Sequence, residues 1–224
     1  MKPVVVFLSL LLCVVAVGCS DSGGTGSNSD IPNASIVPLN VGYYWVMDNT
    51  EFKSDGSSLT QANDTIRISP QTRLSPKNET FYDYGGTYVT KHADGLYSTD
   101  NFSQGPYLYI KYPASVGEAF RDGRFTQTKQ MIIQRAGKPD TSITLYTRYT
   151  VAGKDKSITV PAGSYNCYEY LTAWFQDKSN IIFQEDHLYF APNVGKVMVE
   201  HFEQNNSGSM TLKHRSRLIS IHLQ

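Results

Sequence analysis

The side chains that could carry chemistry are few and scattered. His187, His201, His214 and His222 all fall in the C-terminal part of the chain. A metal site would need three or four such ligands converging from neighbouring strands. Glu185-Asp186-His187 and Glu200-His201 are adjacent pairs, and neighbours along a strand point to opposite faces. His214 and His222 share parity on one strand yet stand about 27 Å apart at roughly 3.4 Å per residue, too far to hold one ion. Glu169, Glu185 and Glu200 are candidates for the paired carboxylates of a glycosidase, but nothing in their spacing pairs them. There is no G-x-S-x-G elbow, P-loop, dinucleotide fingerprint or H-E-x-x-H. The expectation is no catalytic residue and no metal. A hydrolase, the enzymatic alternative, would require acidic or histidine side chains meeting in a cleft.

The cysteines point to a membrane. Residues 1–18, MKPVVVFLSLLLCVVAVG, join a basic start to an apolar run from Val4 to Val17. Those fourteen residues reach about 21 Å as a helix, short of a hydrocarbon core about 30 Å thick. The run reads as the h-region of a signal peptide. The following Val15-Ala16-Val17-Gly18-Cys19 resembles the bacterial lipobox. That resemblance implies cleavage before Cys19, a diacylglycerol on its sulfur and a fatty acyl group such as palmitate on the new amine. This covalent lipid is the only cofactor expected. Each buried CH₂ contributes about 0.8 kcal/mol, so two or three chains anchor the protein durably. Ser20 resembles outer-membrane sorting, which places the protein in the cell envelope, facing the periplasm or the cell surface. With Cys13 removed and Cys19 acylated, Cys167 is left as a lone thiol and no intrachain disulfide forms.

The chemistry that remains is aromatic. The chain holds 15 Tyr, 10 Phe and 2 Trp. Over 165–175, Tyr168, Tyr170 and Trp174 alternate onto one face, while Tyr165, Cys167, Leu171, Ala173 and Phe175 take the other. Glu169 alone breaks the second face. A strand that is apolar on both sides is either covered twice or lines a cavity. Tyr168, Tyr170 and Trp174 are therefore the candidate ligand-binding residues, for a lipid or other apolar ligand in a pocket or for a stacked sugar. The competing explanation is packing, since Tyr suits half-buried strands. Tyr82 with Tyr84 and Tyr107 with Tyr109 repeat the alternation. Cys167 reads as a small core hydrophobe. Charge adds little: 20 Lys and Arg balance 20 Asp and Glu, so a nucleic-acid partner is not expected. Lys213, Arg215 and Arg217 form a basic row on the last strand, read as a headgroup contact or an edge-protecting stripe.

The elements that must position these residues are strands. Residues 19–36 hold the lipidated Cys and a Ser/Gly/Asn/Asp-rich flexible tether. From 37 to 224 the sequence reads as one all-β domain. Period-two runs predict strands at 43–47, 65–69, 80–84, 87–91, 107–112, 125–135, 141–151, 165–175, 181–190, 196–204 and 210–223. Hairpin-like turns at 85–86, 94–95, 137–140 and 205–208 predict a mostly antiparallel meander. Strands of ten residues or more twist and coil, which predicts a single sheet curled into an open half-barrel. A β-sandwich is the alternative. Pro38 to Trp45 and Pro113 to Phe120 share the pattern Pro-x-x-Val-Gly-x-x-aromatic. It marks either a duplicated half-domain or two copies of one strand-entry turn with a left-handed Gly.

Two segments carry a family resemblance. Val160-Pro161-Ala162-Gly163-Ser164-Tyr165-Asn166-Cys167 resembles the V-P-A-G-S/T-Y/F-x-C segment of small Bacteroidota-type envelope lipoproteins. Tyr189-Phe190-Ala191-Pro192-Asn193-Val194-Gly195-Lys196-Val197 resembles their Y-x-A-P-x-V-G-x-V segment, and residues 41–45 their opening strand. These proteins are similar to the lipoprotein-carrier-like (LolA/LolB-like) group. The resemblance implies an open half-barrel around an apolar cavity and carries no catalytic residue. Asp64-Thr65-Ile66 resembles a short O-glycosylation signal of the same bacteria. Together these readings predict a non-enzymatic envelope lipoprotein that binds an apolar or amphiphilic ligand, or a protein partner, on a curved sheet. The alternatives are a structural or assembly component of an outer-membrane complex and a carbohydrate-binding surface module.

Overall fold

The computed structural model describes residues 35–75, 77–99, 102, 105–120, 129–133, 141–176, 181–205 and 207–223. The signal peptide, Cys19, most of the predicted tether and the turn at 137–140 lie outside these residues. Twelve strands make one antiparallel sheet, and no helix occurs among the described residues. In chain order they are β1 (Tyr44–Phe52), β2 (Ser58–Leu74), β3 (Thr80–Tyr84), β4 (Thr87–His92), β5 (Gly95–Thr99) and β6 (Tyr107–Lys111). The second half comprises β7 (Lys129–Ile133), β8 (Thr141–Val160), β9 (Gly163–Gln176), β10 (Ile182–Ala191), β11 (Gly195–Gln204) and β12 (Met210–His222).

The spatial order is β6-β5-β4-β3-β2-β1-β12-β11-β10-β9-β8-β7. The first six strands step outward from the centre and the last six step back, so the first and last strands pair in the middle. Tight hairpins explain most neighbours: Val160 opposes Gly163 across Pro161-Ala162, and Ala191 opposes Gly195 across Pro192-Asn193-Val194. Eleven strands follow the alternation read from the sequence; β5, opened by Gly95 and buried on both faces, does not announce itself. β2 and β8 run well past their apolar alternation, to 17 and 20 residues. β2 is shared between two partners. Its residues 58–67 pair with β1, and Ile68 with Thr72 to Leu74 pairs with β3. Residues 58–66 therefore have β1 on one side and no described strand on the other.

The sheet is curled and open. Tyr170 Oη on β9 donates a hydrogen bond to the Lys111 carbonyl at the end of β6, at 2.7 Å. Those strands are nine positions apart, about 43 Å across a flat sheet at roughly 4.8 Å per strand. The contact exists because the sheet wraps until one end faces the other. The chain after β6 then lies along β8, with Gly117 N donating to Val151 O at 2.8 Å and Phe120 N to Tyr149 O at 3.0 Å. β6 and β7 do not pair with each other, so there is no closed barrel. A single curled sheet also sets aside the sandwich.

The core fills the inside of this curl at one end. Trp45, Ile68, Val89, Phe190, Val197 and Leu218 are all fully or almost fully buried. β10 buries only Tyr189, Phe190 and Ala191, β11 only Gly195 and Val197, and β12 only Leu218. The remaining length of these strands is mostly half-exposed. The chain enters at the packed end: Ser35 N donates to Asn193 Oδ1 at 3.0 Å, and Ile36 and Val37 are 2% and 0% exposed. Residues 35 and 36, assigned to the tether from composition, thus belong to the packed domain. Gly42 and Gly117, the shared glycines of the two Pro-x-x-Val-Gly turns, have φ of 94° and 86°. Each turn sends an aromatic, Trp45 or Phe120, into the core. The two halves of the sheet, β1 to β6 and β7 to β12, are each a meander preceded by one of these turns, an arrangement that fits a duplicated half-domain as well as a shared local turn.

Candidate functional site

β9 carries the candidate aromatics, and the curl treats them unequally. Tyr168 and Tyr170 are 4% and 2% exposed, with rings stacked at 6.1 Å between centroids. Phe190, Phe120 and Tyr112 meet them edge-on. Burial, reinforced by the Tyr168 and Tyr112 phenols, pushes the Tyr170 pKa well up and keeps its hydroxyl a donor to β6. These two rings form the floor of the packed end. Trp174 shares their face but sits four residues from Tyr170, about 13 Å along the strand at roughly 3.3 Å per residue. It is half-buried, opposite Thr147 and Gln184.

Past the core, the inner face turns polar. The β10–β11 register sets Asp186 opposite His201 and Gln184 opposite Glu203. His201 Nδ1 lies 2.7 Å from Asp186 Oδ1, its Nε2 lies 3.4 Å from Glu203 Oε1, and Gln184 Nε2 donates to the same oxygen at 3.3 Å. Tyr149 points into this region; burial, with Tyr107, Tyr109 and Asp186 adding negative charge nearby, pushes it up to about 12. Burial and Asp186 raise Tyr109 too. Farther along, a cleft of about 630 Å³ opens among Glu51, Phe52, Lys53, Gln61, Glu203 and His214. Among the described residues no group of His, Cys, Asp and Glu is placed to hold a metal ion. Sequence spacing did not single out the Asp186–His201 pair, because it exists only through register between two strands.

The outer face gathers the carboxylates that had been considered for hydrolysis and gives each a partner. Glu169 is 7% exposed; its Oε1 lies 2.9 Å from His187 Nδ1 and accepts from Tyr189 Oη at 3.1 Å, while Lys156 Nζ stands 3.3 Å from Oε2. Gly153 makes the room, since a Cβ there would meet Lys156 Cε at 2.7 Å and Glu169 Oε2 at 3.1 Å. Burial alone would raise the Glu169 pKa; hydrogen bonds from His187, Lys156 and Tyr189 outweigh it and hold the carboxyl below its ordinary range. Glu185 Oε2 lies 3.6 Å from the other His187 nitrogen. Glu200 takes Arg215 at 2.7 Å and Asp48 takes Arg217 at 2.6 Å. The basic row therefore sits on a central strand, and its two arginines are spent on neighbours. The edge-stripe reading of Lys213, Arg215 and Arg217 does not hold, because β12 lies between β1 and β11. Cys167 is fully buried, and burial pushes its thiol up to about 12, the state of an unreactive thiol.

Two solved structures are similar to this chain. One is a Bacteroides fragilis protein described as a putative exported protein with a YmcC-like fold; it is 16% identical, with a TM-score of 0.42, and the match covers 85% of this chain and 100% of that one. The other is a putative lipoprotein from Parabacteroides distasonis, also 16% identical, with a TM-score of 0.41 and coverage of 84% and 99%. No curated protein matches the chain. The DUF3108-like family model matches residues 98–212, just over half of the chain and the stretch running from the end of β5 into β12. By that match the chain belongs to the DUF3108-like family.

Proposed function

We propose that the protein is a non-enzymatic cell-envelope lipoprotein, held at the outer membrane by the lipid on Cys19, that takes up an apolar or amphiphilic ligand along the inner face of its curled sheet. The observation that carries this reading is the uneven filling of that face. Tyr168, Tyr170 and Phe190 close it at one end, whereas Leu188, Val199 and Trp174 leave the core half-exposed and lead toward Asp186, His201 and Glu203. An amphiphile fits such a gradient, its chain against the aliphatic and indole surface and its head among the polar groups. The resemblance of residues 160–167 and 189–197 to segments of carrier-like envelope lipoproteins supports the same reading.

The test is a fluorescence titration of the mature chain with a fatty acid and a lysophospholipid, alongside mass spectrometry of lipid retained on purification. Trp174→Ala is expected to weaken binding about tenfold, roughly 1.4 kcal/mol, with little change in stability because the indole lies outside the core. An unmodified chain that shows no saturable binding and retains no lipid rejects the proposal. A second reading, an assembly component, is supported by the edge at 58–66, which among the described residues has no strand beside it and offers backbone groups for strand addition. Crosslinking from that edge to one stoichiometric protein, without retained lipid, favours it.

A further inference from the structure

We propose that the polar half of the inner face is a saccharide-binding groove, laid across the strands from Tyr149 to His214 and opening into the cleft at Glu51. This rests on the reading above and names the chemistry of the ligand's polar part. Register builds the groove. Directly paired residues of antiparallel strands share a face, so the pairings string side chains from different strands into rows. Tyr149 pairs with Thr172, Thr172 with Asp186, Asp186 with His201, and His201 with His214, which in turn pairs with Glu51. Two residues along, Trp174 pairs with Thr147 and with Gln184, and Gln184 with Glu203. On the core side the next row is Val151, Tyr170, Leu188 and Val199, so apolar gives way to polar between one row and the next. From Tyr149 to His214 the polar row crosses about 19 Å, four strand spacings of roughly 4.8 Å.

These rows hold hydrogen-bonding capacity that the fold does not use. Among the described residues, Tyr149 Oη, Trp174 Nε1 and both His214 ring nitrogens have no hydrogen-bond partner. His201 meets Asp186 at Oδ1 alone, and Gln184 and His201 both meet Glu203 at Oε1. Asp186 Oδ2, Glu203 Oε2 and the Gln184 side-chain carbonyl are left to accept from a ligand. The Asp186 and Glu203 side chains are 31% and 43% exposed, so a ligand can reach them. The free groups are spread along the groove at strand spacing and not gathered round one point. A fatty acid or phospholipid head, with its charge in one place, engages only a few of them. Neither row carries a Lys or Arg, so an anionic head meets two carboxylates with only His201 between them. Lys53 and Lys213 enter only in the cleft. A chain of neutral pyranose rings matches both features. It presents hydroxyls at every ring, and its apolar ring faces stack on Trp174 and on Tyr149, whose ring rests 6.0 Å from that of Phe120. The cleft of about 630 Å³ at the His214 end is of a size that encloses small ligands.

The experiment applies the mature chain to an array of neutral and acidic oligosaccharides, each with and without an acyl tail, and follows the tightest binder by calorimetry. Neutral saccharides are expected to bind at least tenfold more tightly than acidic ones of equal length, and affinity to rise with length until the groove is filled. Trp174→Ala on β9 and Gln184→Ala on β10 are each expected to lower that affinity about tenfold. Both residues are half-buried and outside the core, and they lie on different strands, which guards against one variant failing to fold. Tyr44→Ala, on the face opposite Trp45, is expected to leave binding unchanged. Binding of an untailed sugar identifies a free glycan as the ligand, and binding of the tailed form alone identifies a glycolipid head. The groove is overturned if no saccharide binds in either form, or if both variants bind as the unsubstituted chain does. A trimethylammonium head on the same tail that binds as tightly as the sugar overturns it too. A chain that takes up fatty acid but no saccharide loses the groove and keeps the amphiphile reading. One that binds untailed sugar and retains no lipid does the reverse.

Discussion

Glu169 is a carboxylate held among apolar neighbours by three donors, and its ionisation is tied to the fold. Its folded pKa is depressed, so the stability it contributes is present above its ordinary value near 4.5 and is lost as pH falls through the lower folded value. Glu169→Gln is expected to flatten the acid limb of the stability profile below about pH 4.5 and to cost about 2 kcal/mol at neutral pH, read from urea melts across pH. An unchanged acid limb would assign the slope to other carboxylates. Strand alternation identified Glu169 as the residue out of place on its face, but not its partners. His187 and Tyr189 arrive from the next strand, and side chains 18 and 20 residues away in sequence meet Glu169 only once register is set. Tyr168 and Tyr170 show the reverse: their shared face was legible, while their burial depended on what the curl laid over them.

At the scale of elements, turn chemistry and alternation recovered most strands, because Gly, Pro and Asn mark the turns and one face of each strand is apolar. Lengths were less legible. β2 and β8 extend by backbone pairing through polar residues, which a hydrophobic pattern does not register. Among the described residues the polar stretch of β2 has no strand on one side, and two devices guard it: a register slip against β1 between Met47 and Asn49, and the charge of Asp64. Asp64→Val is expected to promote concentration-dependent self-association in sedimentation velocity, without lowering the melting temperature by more than a few degrees. A variant that stays monomeric would show that the bulge suffices. Thr65 stands exposed on this same stretch.

Across the whole molecule, strand length foretold a curled sheet but not which parts of it would touch. That choice is made by a few cross-sheet contacts, chief among them the Tyr170 hydroxyl on the Lys111 carbonyl. Tyr170→Phe is expected to cost about 1 kcal/mol and to quicken amide exchange in β6. Tyr170→Ala, which also empties a packed site, is expected to cost about 3–5 kcal/mol. Exchange in β6 that matches the unsubstituted protein in Tyr170→Phe would mean the neighbouring rings alone hold the curl.

The central pairing of β1 with β12 has one more consequence, in the order of assembly. Tyr44 finds Arg67 early, but its other neighbour is His222, 178 residues further on. Closing that loop is entropically slow and waits for β12 to emerge. Trp45 and Met47, at the heart of the core, keep one flank open until then. A chain built this way cannot complete its core until β12 has been made and brought back against β1.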